Sequence, residues 1–165
     1  MSTKTAKRIS NKVKHHNRTI KGKGKHKTTG KGKGSIAGLS RVVVPKFLEM
    51  INTIKLYHWK TTSFSIHKAT DQLLTDLNTK TDTFIEVMLG KSDMNRNKVL
   101  SFQTVKIGSF KTDAECKTLV NNYKHFLIDL PNHPDFNTMT NVDLLNIRDE
   151  IVALLNQFLY LLTLK

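Results

Sequence analysis

The chain has a single cysteine, Cys116, in 165 residues. That excludes a disulfide framework and suits a reducing compartment. No apolar run approaches the roughly 18 residues that a membrane-crossing helix needs, so no such helix is expected. The N-terminus is basic but lacks an apolar core segment, so it does not read as a secretory signal. The most telling absence is of negative charge. Residues 1–48 hold no Asp or Glu, against 14 Lys and Arg. The other 13 of the 27 basic residues balance the 13 acidic ones, which leaves the whole net charge of +14 in the first 48 positions. The length fits one domain plus an appendage.

The appendage is glycine-rich as well as basic. Six of the eight glycines fall in it, mostly in Lys21-Gly22-Lys23-Gly24-Lys25 and Gly30-Lys31-Gly32-Lys33-Gly34. It has no aromatic residue before Phe47 and few aliphatics before Val42. Such a segment buries too little apolar surface to offset its ordering entropy. Residues 1–38 are therefore expected to form a disordered tail, ahead of a folded body at 39–165. The tail presents Lys4, Lys7, Arg8, Lys12, Lys14, Arg18, Lys21, Lys23, Lys25, Lys27, Lys31 and Lys33. Clustered cations release counterions when they bind phosphates, which gives salt-dependent affinity without sequence selectivity. With no aromatics to stack on bases and no groove-reading motif, the tail reads as a non-specific DNA or RNA binder. A solubility or localisation tail, or one that contacts acidic protein or membrane surfaces, is the plainer alternative. His15, His16 and His26 are taken as part of the same polar segment.

The body reads as all-α, with four helices. The first is expected over residues 42–59, with Pro45 in its first turn and Val44, Phe47, Ile51, Ile54 and His58 on one face. The second is expected over 64–89, stopped by Gly90 as a C-cap. A polar link at 91–98 and a stretch at 99–107 follow, the latter either extended or a short helix. Thr112-x-x-Glu115 is a capping box that opens a third helix, with Ala114, Leu119, Val120, Tyr123, Phe126, Leu127 and Leu130 on its apolar side. Pro131 and Pro134 end it. Thr140 or Asn141 caps the fourth, whose stripe is Leu144, Ile147, Ile151, Leu154, Leu155, Phe158, Leu161 and Leu162. Its last turns are apolar almost all round and so should bury against a neighbour.

The second helix carries chemistry beside its apolar arc. His67, Asp71, Asp82 and Glu86 are spaced by 4, 11 and 4 and fall within a stripe roughly 100° wide. The buried arc next to it is Ile66, Leu73, Leu77, Phe84 and Met88, widened by Leu74, Ile85 and Leu89. Carboxylates at the edge of a buried face need a cation, a positive partner or protonation. The set reads as a metal site, with His58 of the preceding helix as a fifth member. Taken singly, each has a plain alternative: His67 and Asp71 as a surface hydrogen-bonded pair, Asp82 and Glu86 as a solvated face. The two pairs lie 11 residues apart, about 16 Å at 1.5 Å per residue, too far for one ion. Two copies of the helix, antiparallel about a two-fold axis near residues 76–77, would bring His67 and Asp71 of one to Asp82 and Glu86 of the other.

These residues carry a resemblance. Tyr57-His58-Trp59, then His67-x3-Asp71-x10-Asp82-x3-Glu86, then Leu89-Gly90, resembles the Dps family of mini-ferritins. The resemblance implies a ferritin-like four-helix bundle and a ferroxidase centre shared between subunits, with iron as the metal and no small organic cofactor. It also implies a hollow shell, usually of twelve subunits, built from two-fold dimers. The nine residues from His58 to His67 are about three fewer than in that family. His58 is thus the ligand whose loss is expected to matter least. The Glu-x-x-His motifs of bundle-core di-iron sites are absent. Trp59 reads more readily as a core residue than as part of the site. Two functions follow: a ferroxidase and iron store that coats nucleic acid in the cytoplasm as a nucleoid component, or a non-enzymatic nucleoprotein that condenses a genome, for instance inside a virion.

Overall fold

The computed structural model describes residues 35–93, 95–101 and 104–164. Its elements in chain order are α1 (Ile36–Lys60), α2 (Phe64–Gly90), the single turn α3 (Arg96–Val99), α4 (Asp113–Asp129), a 3-10 turn at Leu130–Asn132, and α5 (Val142–Leu161). Four long helices thus make an all-α body, with no strand among the described residues. None of its helices is long and apolar enough to cross a membrane. The tail residues Lys4 to Lys33 lie outside the described residues.

Helix α1 starts six residues before the expected Val42. Ser35 is its N-cap and accepts the Gly38 N–H at 3.4 Å. The Ser35 N–H is itself held by Asp135 Oδ1 at 3.0 Å, a tie from beyond α4 that local sequence does not announce. A Cβ at Gly38 would push the Asp135 carboxylate out of this place, so glycine keeps the tie to Ser35. Leu39 and Val43 extend the inward row of Val44, Phe47, Met50, Ile54 and Tyr57. Residues 36–38, given to the tail by the sequence pattern, are thus the first turn of α1. Pro45 sits inside the helix, not in its first turn. An interior proline costs about 3 kcal/mol in a free helix. Here the flanking Val43, Val44 and Phe47 are all buried, and their packing keeps the helix continuous.

The remaining helices bury the faces their periodicity marks. Leu73, Leu74, Leu77, Phe84 and Met88 of α2 meet Val120, Tyr123 and Leu127 of α4 and Leu144, Ile151, Leu155 and Phe158 of α5 in one core. Phe47 and Phe84 meet edge to face, ring centres 5.2 Å apart. Thr112 caps α4, accepting the Glu115 N–H at 3.2 Å. Glu115 reaches back to the N–H of Lys111, one residue before the cap, at 2.6 Å. Ala114 faces solvent, and buried Cys116 fills the core place expected of it. Gly90 is the last residue of α2 but has no positive φ, so it is not a left-handed cap. Asn141 precedes α5 without a side-chain capping bond.

The connection between α2 and α4 decides the topology. It is tied to α1 at three points: Ser40 Oγ donates to the Val99 carbonyl (3.0 Å), Thr53 Oγ1 accepts the Gly108 N–H (2.8 Å), and Lys60 Nζ donates to the Phe110 carbonyl (3.4 Å). Positions 40, 53 and 60 climb α1 as the connection runs forward, so it crosses the bundle from one end to the other. Residues 96–99 form one helical turn, and 104–110 have no regular structure. Helix α1 packs on α2 and α4, and α5 on the same two. All four neighbouring pairs run antiparallel.

One exposure differs from the sequence pattern, and a second is the one it leads to expect in a single copy. Trp59 is 67 % exposed rather than in the core. At the end of α5, Tyr160, Leu161 and Leu164 are exposed, while Leu162 is buried.

Candidate metal centre

The α1–α2 hairpin positions the first two candidate ligands. Three residues, 61–63, link the helices. The Thr61 N–H closes α1 on the Tyr57 carbonyl at 3.0 Å, and Ser63 Oγ opens α2 by accepting the Ile66 N–H at 3.4 Å. So short a link sets His58 directly against His67. Their rings stack with centres 3.9 Å apart and planes 25° from parallel. The shortened hairpin, which made His58 the ligand expected to matter least, is what brings the two imidazoles together.

Their hydrogen bonds are reciprocal. His58 Nδ1 donates to the His67 carbonyl at 3.3 Å and lies 3.1 Å from Thr70 Oγ1. His67 Nδ1 donates to the His58 carbonyl at 3.2 Å. A carbonyl oxygen only accepts, so each Nδ1 carries a proton, and the neutral ring keeps its lone pair on Nε2. Neither Nε2 has a hydrogen-bond partner among the described residues. A backbone carbonyl on one ring nitrogen with the other left free is the arrangement that orients a metal-ligating histidine. His58 is only 8 % exposed, whereas His67 opens to solvent.

The carboxylates lie along α2. Asp71, Asp82 and Glu86 are all exposed, and none makes a side-chain hydrogen bond or ion pair among the described residues. The lysines of α2 are engaged elsewhere. Lys80 pairs with Glu150 of α5, and Lys68 lies over the Phe64 ring, 6.0 Å from its centre. Just past the helix, Lys91 binds Asp143 at 2.9 Å and the Thr140 carbonyl at 2.8 Å. Among the described residues of one chain, no three His, Cys, Asp or Glu side chains gather closely enough to hold an ion. The structure thus joins His58 to His67, keeps Asp71 one turn further on, and leaves Asp82 and Glu86 towards the far end of the same continuous helix.

Residues 58–162 match a protein family described as a family of unknown function, DUF5856. The chain belongs to this family. The match opens on His58 and takes in His67, Asp71, Asp82 and Glu86, the crossing connection, and α4 and α5, while the basic segment lies outside it. No curated protein and no solved structure matches the chain.

Sequence reasoning missed the polar groups that support the site from behind. Thr70 is fully buried, donates to the Ile66 and His67 carbonyls at 2.9 Å, and offers its oxygen to His58 Nδ1. Its place three residues after His67 was the available signal. On the opposite side of α1, Thr53 Oγ1 and Tyr123 Oη lie 2.9 Å apart, and Tyr123 donates to Glu49 Oε1 at 3.3 Å. Glu49 is paired with Lys46 at 2.7 Å. Burial pushes the Tyr123 phenol up to about 12, with the Glu49 carboxylate adding to the rise. Tyr57, next to His58, is buried with its hydroxyl unpartnered among the described residues. Burial first, then the nearby Asp113 carboxylate, raises its pKa. The same two causes push the Cys116 thiol up to about 12, so it stays protonated and unreactive.

Proposed function

We propose that the chain is a DNA-binding mini-ferritin, which oxidises and sequesters Fe(II) at a site shared between two copies and coats nucleic acid through its basic segment. The observation that carries this reading is the reciprocal His58–His67 pair, with both Nδ1 atoms locked to carbonyls and both Nε2 atoms free. The topology supports it. A four-helix bundle with one long crossing connection between its second and third helices is the ferritin-like connectivity, and residues 91–112 make that crossing. The donor set also fits the substrate. Imidazole nitrogen and carboxylate oxygen suit Fe(II), and three unpaired carboxylates supply the negative charge that holds it. The solvent-facing side of His67, Asp71, Asp82 and Glu86 leaves room for O₂ or peroxide to take the electron that Fe(II) gives up.

The chain's own part in this chemistry is positional. The His58 and His67 carbonyls fix each other's rings without a conformational search. Asp71 follows His67 by one turn, and Asp82 and Glu86 come from the second copy. Each two-fold pair then has two equivalent sites and two basic segments. The positively charged segment would hold this iron sink on the polyanion, with affinity that falls steeply as salt rises.

The test is an anaerobic Fe(II) titration followed by oxidant, with native mass recorded at each stage. Two Fe(II)-binding sites per dimer and oxidant consumption coupled to Fe(III) formation are expected. Nucleic-acid condensation with no iron-dependent oxidant consumption would instead make the chain a non-enzymatic nucleoprotein.

A further inference from the structure

We infer that the α1–α2 hairpin is a stacking surface for unpaired bases, through which the folded body holds single-stranded nucleic acid. This rests on the nucleic-acid reading above and adds a preference for single strands. The basic segment, with no Phe, Tyr or Trp of its own, does not supply one. Two large rings stand in solvent at the hairpin. Trp59, in the last turn of α1, is 67 % exposed, and Phe64, the first residue of α2, is 76 % exposed. Neither meets another aromatic ring among the described residues. Each has an ammonium group beside it instead. Lys55 Nζ lies 5.5 Å from the centre of the Trp59 ring, and Lys68 Nζ 6.0 Å from that of Phe64. Each lysine is one helical turn from its ring, so the same ring–cation unit stands on either side of the link at 61–63.

Such a unit fits a nucleotide. The base stacks on the open part of the ring, and the ammonium meets a phosphate of the same strand. A single strand offers its base faces to protein rings, whereas in a duplex the bases already stack on one another. The surrounding charge favours the same partner. From Met50 to Thr70 the chain has three lysines and no Asp or Glu. On the exposed stripe of α2 the first carboxylate is Asp71, further into the helix than Lys68. Asp113 of α4 lies beside buried Tyr57, which is two residues from Trp59 and so on the opposite side of α1. The rest of the hairpin is Thr61, Thr62, Ser63 and Ser65, and the aliphatic Leu56 and Ile66 are packed against the core. Exposed Leu161 and Leu164 of α5 border a pocket with Ser65 and Lys68, but neither Trp59 nor Phe64 lines it. The two rings are therefore set among cations and hydroxyls, which suits a polyanion carrying flat bases better than an acyl layer.

Trp59 is the only tryptophan of the chain, so its emission reports on this surface alone. The test is fluorescence titration of the full chain with an oligothymidine and with a DNA duplex of equal length, across a NaCl series. The oligothymidine should quench Trp59 strongly at saturation. The duplex, held by the basic segment, should bind and leave the emission nearly unchanged. Phe64→Ala and Trp59→Ala should each weaken oligothymidine binding about tenfold, read by anisotropy of a labelled strand, and leave duplex binding native. Both rings are exposed, so the melting temperature should not move, which separates lost stacking from lost folding. Equal quenching by strand and duplex, or single-strand affinity untouched by both substitutions, overturns the stacking surface and leaves binding through the basic segment standing. No binding of either nucleic acid overturns both. Trp59 emission that answers to protein concentration alone, or to vesicles of phosphatidylcholine and phosphatidylserine, and not to oligothymidine, overturns the proposal in favour of a contact with a second copy or with lipid.

Discussion

Helix α1 separates two sets of polar side chains that differ in one respect. Towards α4 the set is closed. The Gly108 N–H reaches Thr53, Thr53 reaches Tyr123, Tyr123 reaches Glu49, and Glu49 reaches Lys46, so each group has its partner inside the chain. Towards α2 the set is open. His58 and His67 satisfy each other's Nδ1 but leave Nε2 free, and Asp71, Asp82 and Glu86 have no partner among the described residues. A closed network stores stability and positions the crossing connection. An open one leaves its donors to solvent: Asp71, Asp82 and Glu86 are exposed and hydrated, so they cost the fold little and stand free for the ligand proposed above. Closure, rather than the mere presence of polar residues, separates the scaffold from the proposed site.

The sharpest way to break that contrast is on the open side. Asp71→Ala and Glu86→Ala should each abolish Fe(II) oxidation, since each homodimer loses a ligand at both sites. Co-refolding the two variants should restore about half the native initial rate per dimer, from one intact site beside one doubly broken one, if the sites act independently. No recovery in heterodimers confirmed by mass would exclude a site shared between copies.

His58→Ala tests the hairpin. The nine-residue spacing suggests a mild effect, but the stacked pair reverses the expectation. Losing the ring removes one ligand and the neighbour that orients His67, so oxidation should fall at least as far as in His67→Ala. Initial rates of the two variants side by side decide it.

The closed side should respond in stability and not in iron chemistry. Thr53→Val leaves the Gly108 N–H and the Tyr123 hydroxyl short of a partner and should cost about 2 kcal/mol in denaturant unfolding. Gly108→Ala should cost a similar amount, about 1–3 kcal/mol, because its Cβ would meet Leu119, Thr53 and Tyr123 atoms at 2.9 Å. Oxidation rates per folded dimer should stay native in both. A large loss of activity in either would erase the distinction between the two sides.

The smallest expected effect is on pH. The Tyr123 phenol is held up to about 12 in the fold, against an ordinary value of 10. Its contribution is fully present below pH 10 and is lost as pH rises from about 10 towards 12, because the unfolded chain ionises first. Melting temperature should fall over that window, and Tyr123→Phe should make the fall shallower. Equal slopes in the two proteins would show that the phenol contributes nothing to alkaline stability.

Much of this was legible in residue spacing. The inward rows of α2 and α5, the capping box at Thr112 and Glu115, and the row His67, Asp71, Asp82 and Glu86 on one helix all follow from a 3.6-residue period. Other features depend on partners distant in sequence. The start of α1 is fixed by Asp135, one hundred positions after Ser35. Pro45 is carried inside a helix by buried neighbours on both sides. Trp59 is turned outward although a lone tryptophan reads as core.

The sequence by itself determined the segregation of charge, the four amphipathic helices and the row of histidine and carboxylate side chains proposed as metal donors, because composition and local periodicity act over a few residues. Tertiary structure alone decided that residues 91–112 cross the bundle and that the closed network forms behind α1. It also decided that His58 and His67 stack so as to lock each other's proton on Nδ1. Those outcomes depend on which helix faces bury one another, and that is a property of the packed chain.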